Sequence, residues 1–303
     1  MTLLQNIDDL NLILITIYYF TDNFLKGMLG NIKYALTQPN QNQPPIKKHN
    51  LSLAELTSLA IFRFFTGHGN WKDFYRHIKT YHRQDFLNLP NYQNFLEAIN
   101  KLSVLASIML QGFMNIFNKI SGENGLKFAD STKLKVCEIK REFSHKVCFG
   151  LASKSKSSMG WFYGFRLHII CNELMQILKL KITTGTGDER KTLEIMWNDI
   201  FGMIIADAGY VSRKLEKKAL SSGKFFLTGV RANMRKIMTE TQHQFLRLRQ
   251  LVETVFSVLK LRMGLETSLP RSPLGYFAHY IWCLTAYQFK KFLELLFVKP
   301  LLA

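Results

Sequence analysis

Apolar side chains recur every three or four residues across 7–36, Leu56–Phe65, Trp71–Tyr81 and Tyr92–Phe117. That spacing lines one face of a helix, so each stretch is expected to be helical. Ser52-Leu-Ala-Glu55 has the serine and, three residues on, the glutamate of a capping box, which places a helix start there. Thr37–Lys48 breaks the pattern with a Pro, Asn and Gln composition and reads as a linker. The first 120 residues are therefore expected to be all-helical.

From residue 121 the apolar runs shorten. Gly125–Asp130, Gly164–Cys171 and Gln176–Thr184 predict three strands, Glu189–Asp199 a helix, Phe201–Asp207 a fourth strand, and Val211–Ser222 a basic helix. Lys224–Thr228 predicts a fifth strand and Gln242–Arg262 a long helix, so the class is α/β. Tyr276–Val298 is long enough to span a bilayer, but His279, Gln288, Lys290, Lys291 and Glu294 interrupt it, and Leu10–Phe20 is too short. A packed terminal helix, and no membrane contact, is the expectation.

Charge changes the picture from a fold to a partner. Forty Lys and Arg against 22 Asp and Glu give a formal charge of +18, a field suited to a polyanion, with nucleic acid the leading candidate. Ser212–Arg262 alone holds 12 basic residues against Glu216, Glu240 and Glu253. Cys137, Cys148, Cys171 and Cys283 form no C-x-x-C pair and have no histidine at zinc-finger spacing, which argues against structural zinc and fits reduced thiols in the cytoplasm.

Three acids stand out against this basic background. Asp130 ends the run Leu126-Lys-Phe-Ala-Asp130, Asp207 ends Met203-Ile-Ile-Ala-Asp207, and Glu253 sits in Arg249-x3-Glu253-x6-Lys260. Carboxylates at the carboxyl ends of buried strands point into the crevice where open α/β sheets bind ligands. Three that converge need cations to coexist, and Mg²⁺ prefers such hard oxygen donors. On an ideal helix Arg249, Glu253 and Lys260 share one stripe, so the arginine can hold the carboxylate or a phosphate and the lysine a second phosphate. Each acid alone has a plainer reading, as a strand-end turn residue or one half of a helix ion pair. Arg166 and His168 share a strand face and could approach DNA, although His168 reads at least as well as a core histidine, and Asp188 reads as a further site acid or equally as a helix N-cap.

The blocks Asp130-Ser-Thr132, Gly160-Trp-Phe-Tyr-Gly-Phe-Arg-Leu-His168, Thr184-Gly-Thr-Gly-Asp-Glu-Arg190, Ala206-Asp-Ala-Gly-Tyr210 and Thr228-Gly-Val-Arg-Ala-Asn-Met-Arg235 resemble, in that order, blocks of bacterial insertion-sequence DDE transposases, most of all the insertion-sequence 982 family. The resemblance covers residues 120–262. It implies a ribonuclease H-like mixed sheet flanked by helices over 121–303, preceded by a helical DNA-binding region over 1–120. Asp130, Asp207 and Glu253 would be the catalytic, metal-binding triad for two Mg²⁺ ions, or Mn²⁺ in their place. Arg249, Lys260, Arg231 and Arg235 would take DNA phosphates. The implied partners are element ends and target DNA, bound by a dimer or larger assembly at the nucleoid. The implied reaction is cleavage that frees a 3′-hydroxyl, followed by attack of that hydroxyl on target DNA. Leu246 stands where the tyrosine of the related Y-R-E-K signature is expected. A metal nuclease without strand transfer, or an inactive DNA-binding descendant of a transposase, fits the same residues.

Overall fold

Leu126–Cys137, buried near both ends and half-buried over Asp130–Lys133, forms a twelve-residue strand, β1, the axis of a mixed sheet in the computed structural model. The structure describes residues 7–35, 51–122, 124–157, 160–230 and 238–298. The expected linker at Thr37–Lys48 and the phosphate candidates Arg231 and Arg235 lie outside the described residues.

The other strands are β2 (Ser153–Ser157), β3 (Gly160–Asn172), β4 (Ile177–Thr184), β5 (Met203–Ala206) and β6 (Phe225–Thr228). The sheet runs β2-β3-β1-β5-β6, with β4 continuing the edge beyond β2 on β3. β1 and β3 are antiparallel, whereas β1, β5 and β6 are parallel. An antiparallel meander with two parallel strands beside the first is the expected ribonuclease H-like arrangement. β5 is nearly all buried, as a short apolar run in a parallel sheet must be when both faces are covered. Gly164 lets β3 approach β1 where the register shifts, because a Cβ there would lie 2.0 Å from the Leu134 carbonyl oxygen.

The chain divides into two compact units, Met1–Ser107 with Phe277–Ala286, and Ile108–Tyr276 with Tyr287–Ala303. In the first are α1 (Ile7–Ala35), α2 (Leu53–Phe62), α3 (Trp71–Tyr81) and α4 (Tyr92–Lys101). The Ser52–Glu55 capping box forms as expected, with Ser52 N donating to Glu55 at 2.6 Å and Glu55 N to Ser52 Oγ at 3.2 Å. Trp71 and Tyr75 serve packing: Arg63 lies 4.6 Å over the Trp71 ring, and the Tyr75 hydroxyl donates to the Pro90 carbonyl at 2.7 Å. α5 (Ser103–Ser121) and α10 (Pro273–Val298) each contribute residues to both units.

In the second unit, α6 (Glu189–Met196) packs on β3 and β4, and α7 (Arg213–Ser221) on β6. α8 (Glu240–Arg247) lies against β5 and β6, and α9 (Gln250–Ser257) against β1 and β3. Gln288 of α10 extends the ladder of edge strand β4, since its amide accepts from Ile177 N at 3.0 Å and donates to Ile177 O at 2.6 Å. No helix among the described residues is long and apolar enough to cross a membrane. All four cysteines are buried and free.

Three features differ from the sequence expectation. Asp130 does not end its strand: β1 continues to Cys137 against β3, and only its parallel partner β5 stops, at Ala206. β2 was not expected, because Ser-Lys-Ser-Lys-Ser has no apolar face to signal a strand. The long helix at Gln242–Arg262 is broken at Leu248 and Arg249 by shorter hydrogen bonds, Arg249 N to Leu246 O and Val252 N to Arg249 O, and ends in a π turn over Val258–Arg262. Both break residues keep helical dihedrals, so no glycine or proline marks the place.

Candidate active site

Asp130 and Asp207 each follow the last parallel pair, Ala129 with Ala206, of β1 and β5. Neighbouring strands lie roughly 5 Å apart, so the two carboxylates leave the sheet side by side where β5 turns away. Asp207 is held by its own turn, accepting from Gly209 N at 2.7 Å. A Cβ on residue 209 would lie 2.8 Å from that carboxylate oxygen, so glycine leaves the acid its place.

Burial is the main force on Asp130. It pushes the carboxyl from its ordinary value of 3.8 up to about 7, and the negative charges of Asp207 and Glu189 push the same way. Ser131 N, which donates to Asp130 Oδ1 at 2.7 Å, and the Arg249 guanidinium oppose the rise. A desolvated acid beside two others is held ionised only with difficulty, and a cation at the site would stabilise the ionised form.

Arg249 links the remaining acid to this pair. Its Nη1 lies 3.3 Å from Asp130 Oδ2 and its Nη2 2.7 Å from Glu253 Oε1. Glu253 thus sits one turn beyond Arg249 as expected, but its side chain is 52% exposed and does not line the acidic cleft. Lys260 does line that cleft and donates to the Lys133 carbonyl at 2.5 Å, with Glu266 3.5 Å away. Its burial lowers its pKa. Among the described residues no three Asp, Glu, His or Cys side chains come close enough to share one ion. The donor chemistry at Asp130 and Asp207 fits a divalent cation of the Mg²⁺ kind, while Glu253 stands apart, tied to Arg249.

A second network beside Asp130 was not singled out from the sequence. Ser131 Oγ donates to Glu189 Oε1 at 2.7 Å, and Arg166 Nη1 donates to Glu189 and, at 3.3 Å, to Ser131 Oγ. Glu189 opens α6, where an acid also favours the helix dipole, and Asp188 beside it is the N-cap that accepts from Arg190 N and Lys191 N. The available signal was the run Asp188-Glu189 directly after a predicted strand. Arg166 therefore faces the cleft, whereas His168 is buried and hydrogen-bonds Thr183 Oγ1 at 2.9 Å. Burial, then Arg166 and Lys181, lower the His168 pKa to about 4, so the ring is neutral.

These residues line a cleft of about 630 Å³ that brings Asp130, Asp207 and Glu189 together with Lys156, Arg166 and Lys260. Acids and cations in one cleft suit a phosphodiester, whose charge the cations attract while the acids could take a metal.

Residues 120–273 match the family model described as "Transposase DDE domain". No curated protein matches the chain. Among solved structures it is similar to a piggyBac transposase in a synaptic complex with hairpin DNA, at 11% identity and a TM-score of 0.48, over 91% of this chain and 71% of that one.

Proposed function

The chain belongs to the transposase DDE domain family and is an enzyme of the transposase type; from that premise we propose that it cuts DNA at the ends of an insertion sequence of the 982 family and joins the freed 3′-hydroxyl to target DNA. The observation that carries the reading is the placement of Asp130 and Asp207 side by side, each one residue past the last parallel pair of β1 and β5. Asp130 and Asp207, with Glu253 as third donor, would hold Mg²⁺ or Mn²⁺, which supplies Lewis-acid stabilisation of charge on the phosphate oxygens.

The chain's own residues do the rest. Lys156, Arg166 and Lys260 draw the DNA phosphate into the cleft. Gly209 N fixes Oδ1 of Asp207 and Ser131 N fixes Oδ1 of Asp130, while Arg249 holds Oδ2 of Asp130. Arg249 orients Glu253 from one turn away. The helical region preceding the sheet would bind element ends, and two or more copies would pair them.

The test is cleavage of labelled DNA carrying the element ends. Asp130→Ala and Glu253→Ala are expected to abolish Mg²⁺-dependent nicking and strand-transfer products while DNA binding persists; nicking at the wild-type rate by either variant would sink the proposal. One observation favours an inactive DNA-binding descendant instead, namely the distance of Glu253 from the other acids. Calorimetric titration with Mg²⁺ separates the two, because such a descendant binds none.

A further inference from the structure

The connection between β1 and β2 takes no part in the site above, yet it carries an unusual surface. Phe143 is 92% exposed and Phe149 77%. Leaving a phenylalanine in water forgoes about 1.5–3 kcal/mol of burial, so two in one short segment are not accounted for by folding. Trp161 of β3, also exposed, lies under Lys154 of β2, with Nζ 5.6 Å from the ring centre.

The segment between the two phenylalanines lines a separate cleft of about 540 Å³, whose cations are Lys135, Arg141, Lys146 and Arg271 and whose acids are Glu138 and Glu266. None of these four cations forms an ion pair among the described residues. His145, also in the wall, has a buried Nε2 without a hydrogen-bond partner there. The two clefts adjoin along one face of β1: Ser131 and Lys133 line the acidic cleft, and Lys135, two residues on, lines the basic one. Glu266 stands at the boundary, accepting from Lys135 N at 2.9 Å with Lys260 3.5 Å away. From Asp130 to Lys135 is about 17 Å of strand, a span of a few nucleotides.

We propose that this basic cleft and its phenylalanines bind single-stranded DNA leaving the active site. Phosphates sit among Lys135, Arg141, Lys146 and Arg271, and unpaired bases stack on Phe143 and Phe149. Exposed aromatic faces select unpaired bases, because a duplex offers its phosphates and groove edges while its base faces are already stacked. The inference takes from the proposed function only that the polymer is DNA.

The experiment measures anisotropy of a short fluorescent single strand and of the matching duplex, with full-length protein in EDTA. The paired substitutions Phe143→Ala and Phe149→Ala are expected to weaken single-strand binding roughly 10-fold or more and to leave the duplex unchanged. Substituting Arg141, Lys146 and Arg271 by Gln should flatten the single-strand salt dependence by about 2 in log–log slope, at ~0.7 per phosphate contact. All five side chains are exposed, so the melting temperature should hold. Unchanged single-strand affinity in the phenylalanine variant, or an equal loss on the duplex, overturns the inference alone. Wild-type protein that binds neither probe overturns it together with the DNA reading.

Discussion

Asp130→Asn should stabilise the metal-free protein, and do so only above a definite pH. The folded carboxyl titrates at about 7 against an ordinary 3.8, so between those values the folded state binds more protons than the unfolded one. Stability then falls as pH rises. The contribution of the neutral acid is fully present below pH 3.8 and has been lost once pH has passed 7. At 1.36 kcal/mol per pH unit the span corresponds to roughly 4 kcal/mol; with 18% of the side chain still exposed, ~2–3 kcal/mol is the working figure. Asparagine has nearly the same shape and no charge to desolvate. Urea unfolding in EDTA should therefore give equal stability for both proteins near pH 4 and a gap that opens to ~2–3 kcal/mol by pH 8. Mg²⁺ should reverse the order at pH 8, because ligand binding stabilises only the protein that holds it. A gap that stays constant from pH 4 to 8 would refute the assignment of burial as the dominant cause.

Glu189→Gln tests the network beside the site: cleavage is expected to drop about 10- to 100-fold, the usual loss when a partner that orients a metal ligand is removed. Because Glu189 raises the Asp130 pKa, the acid limb of the pH–rate profile should also move to lower pH, and a profile that keeps its position would remove Glu189 from the site. Gln288→Ala strips the Ile177 amide and carbonyl of partners in a buried place, at about 1–3 kcal/mol per orphaned group. Thermal melting should fall by several degrees with Mg²⁺-dependent cleavage unchanged at permissive temperature; an unchanged melting temperature would contradict the edge pairing.

The sheet was legible because buried parallel strands have to be apolar. β5 and β6 follow from Met-Ile-Ile-Ala and Phe-Phe-Leu-Thr, whereas their place beside β1 was what the family resemblance implied. β2 was illegible for the converse reason, as a polar strand paired on β3 carries no period that a loop lacks. Asp130 and Asp207 were legible as residues ending apolar runs, even though β1 runs on past Asp130. Glu189 was not singled out, and Arg166 only as a strand residue that could approach DNA beside His168, since their contact spans 23 residues and neither local pattern encodes it. The break before α9 is equally silent, being made by a change of hydrogen-bond partner between residues with ordinary dihedrals.

Arg249 explains why two acids meet and the third does not. Its guanidinium faces Asp130 on one side and Glu253 on the other, so in the absence of metal it supplies the positive charge that the pair requires. A dication at Asp130 and Asp207 would compete with it for the same carboxylate oxygen. Two unit charges 4 Å apart interact by about 4 kcal/mol at an effective dielectric constant of 20, and a dication doubles that repulsion. The guanidinium and the ion would therefore weaken each other's hold on Asp130. Glu253 is attached to the same arginine on the same helical face, so whatever draws Arg249 from Asp130 also changes the partner of Glu253. Glu253 thus reaches Asp130 only through the Arg249 guanidinium.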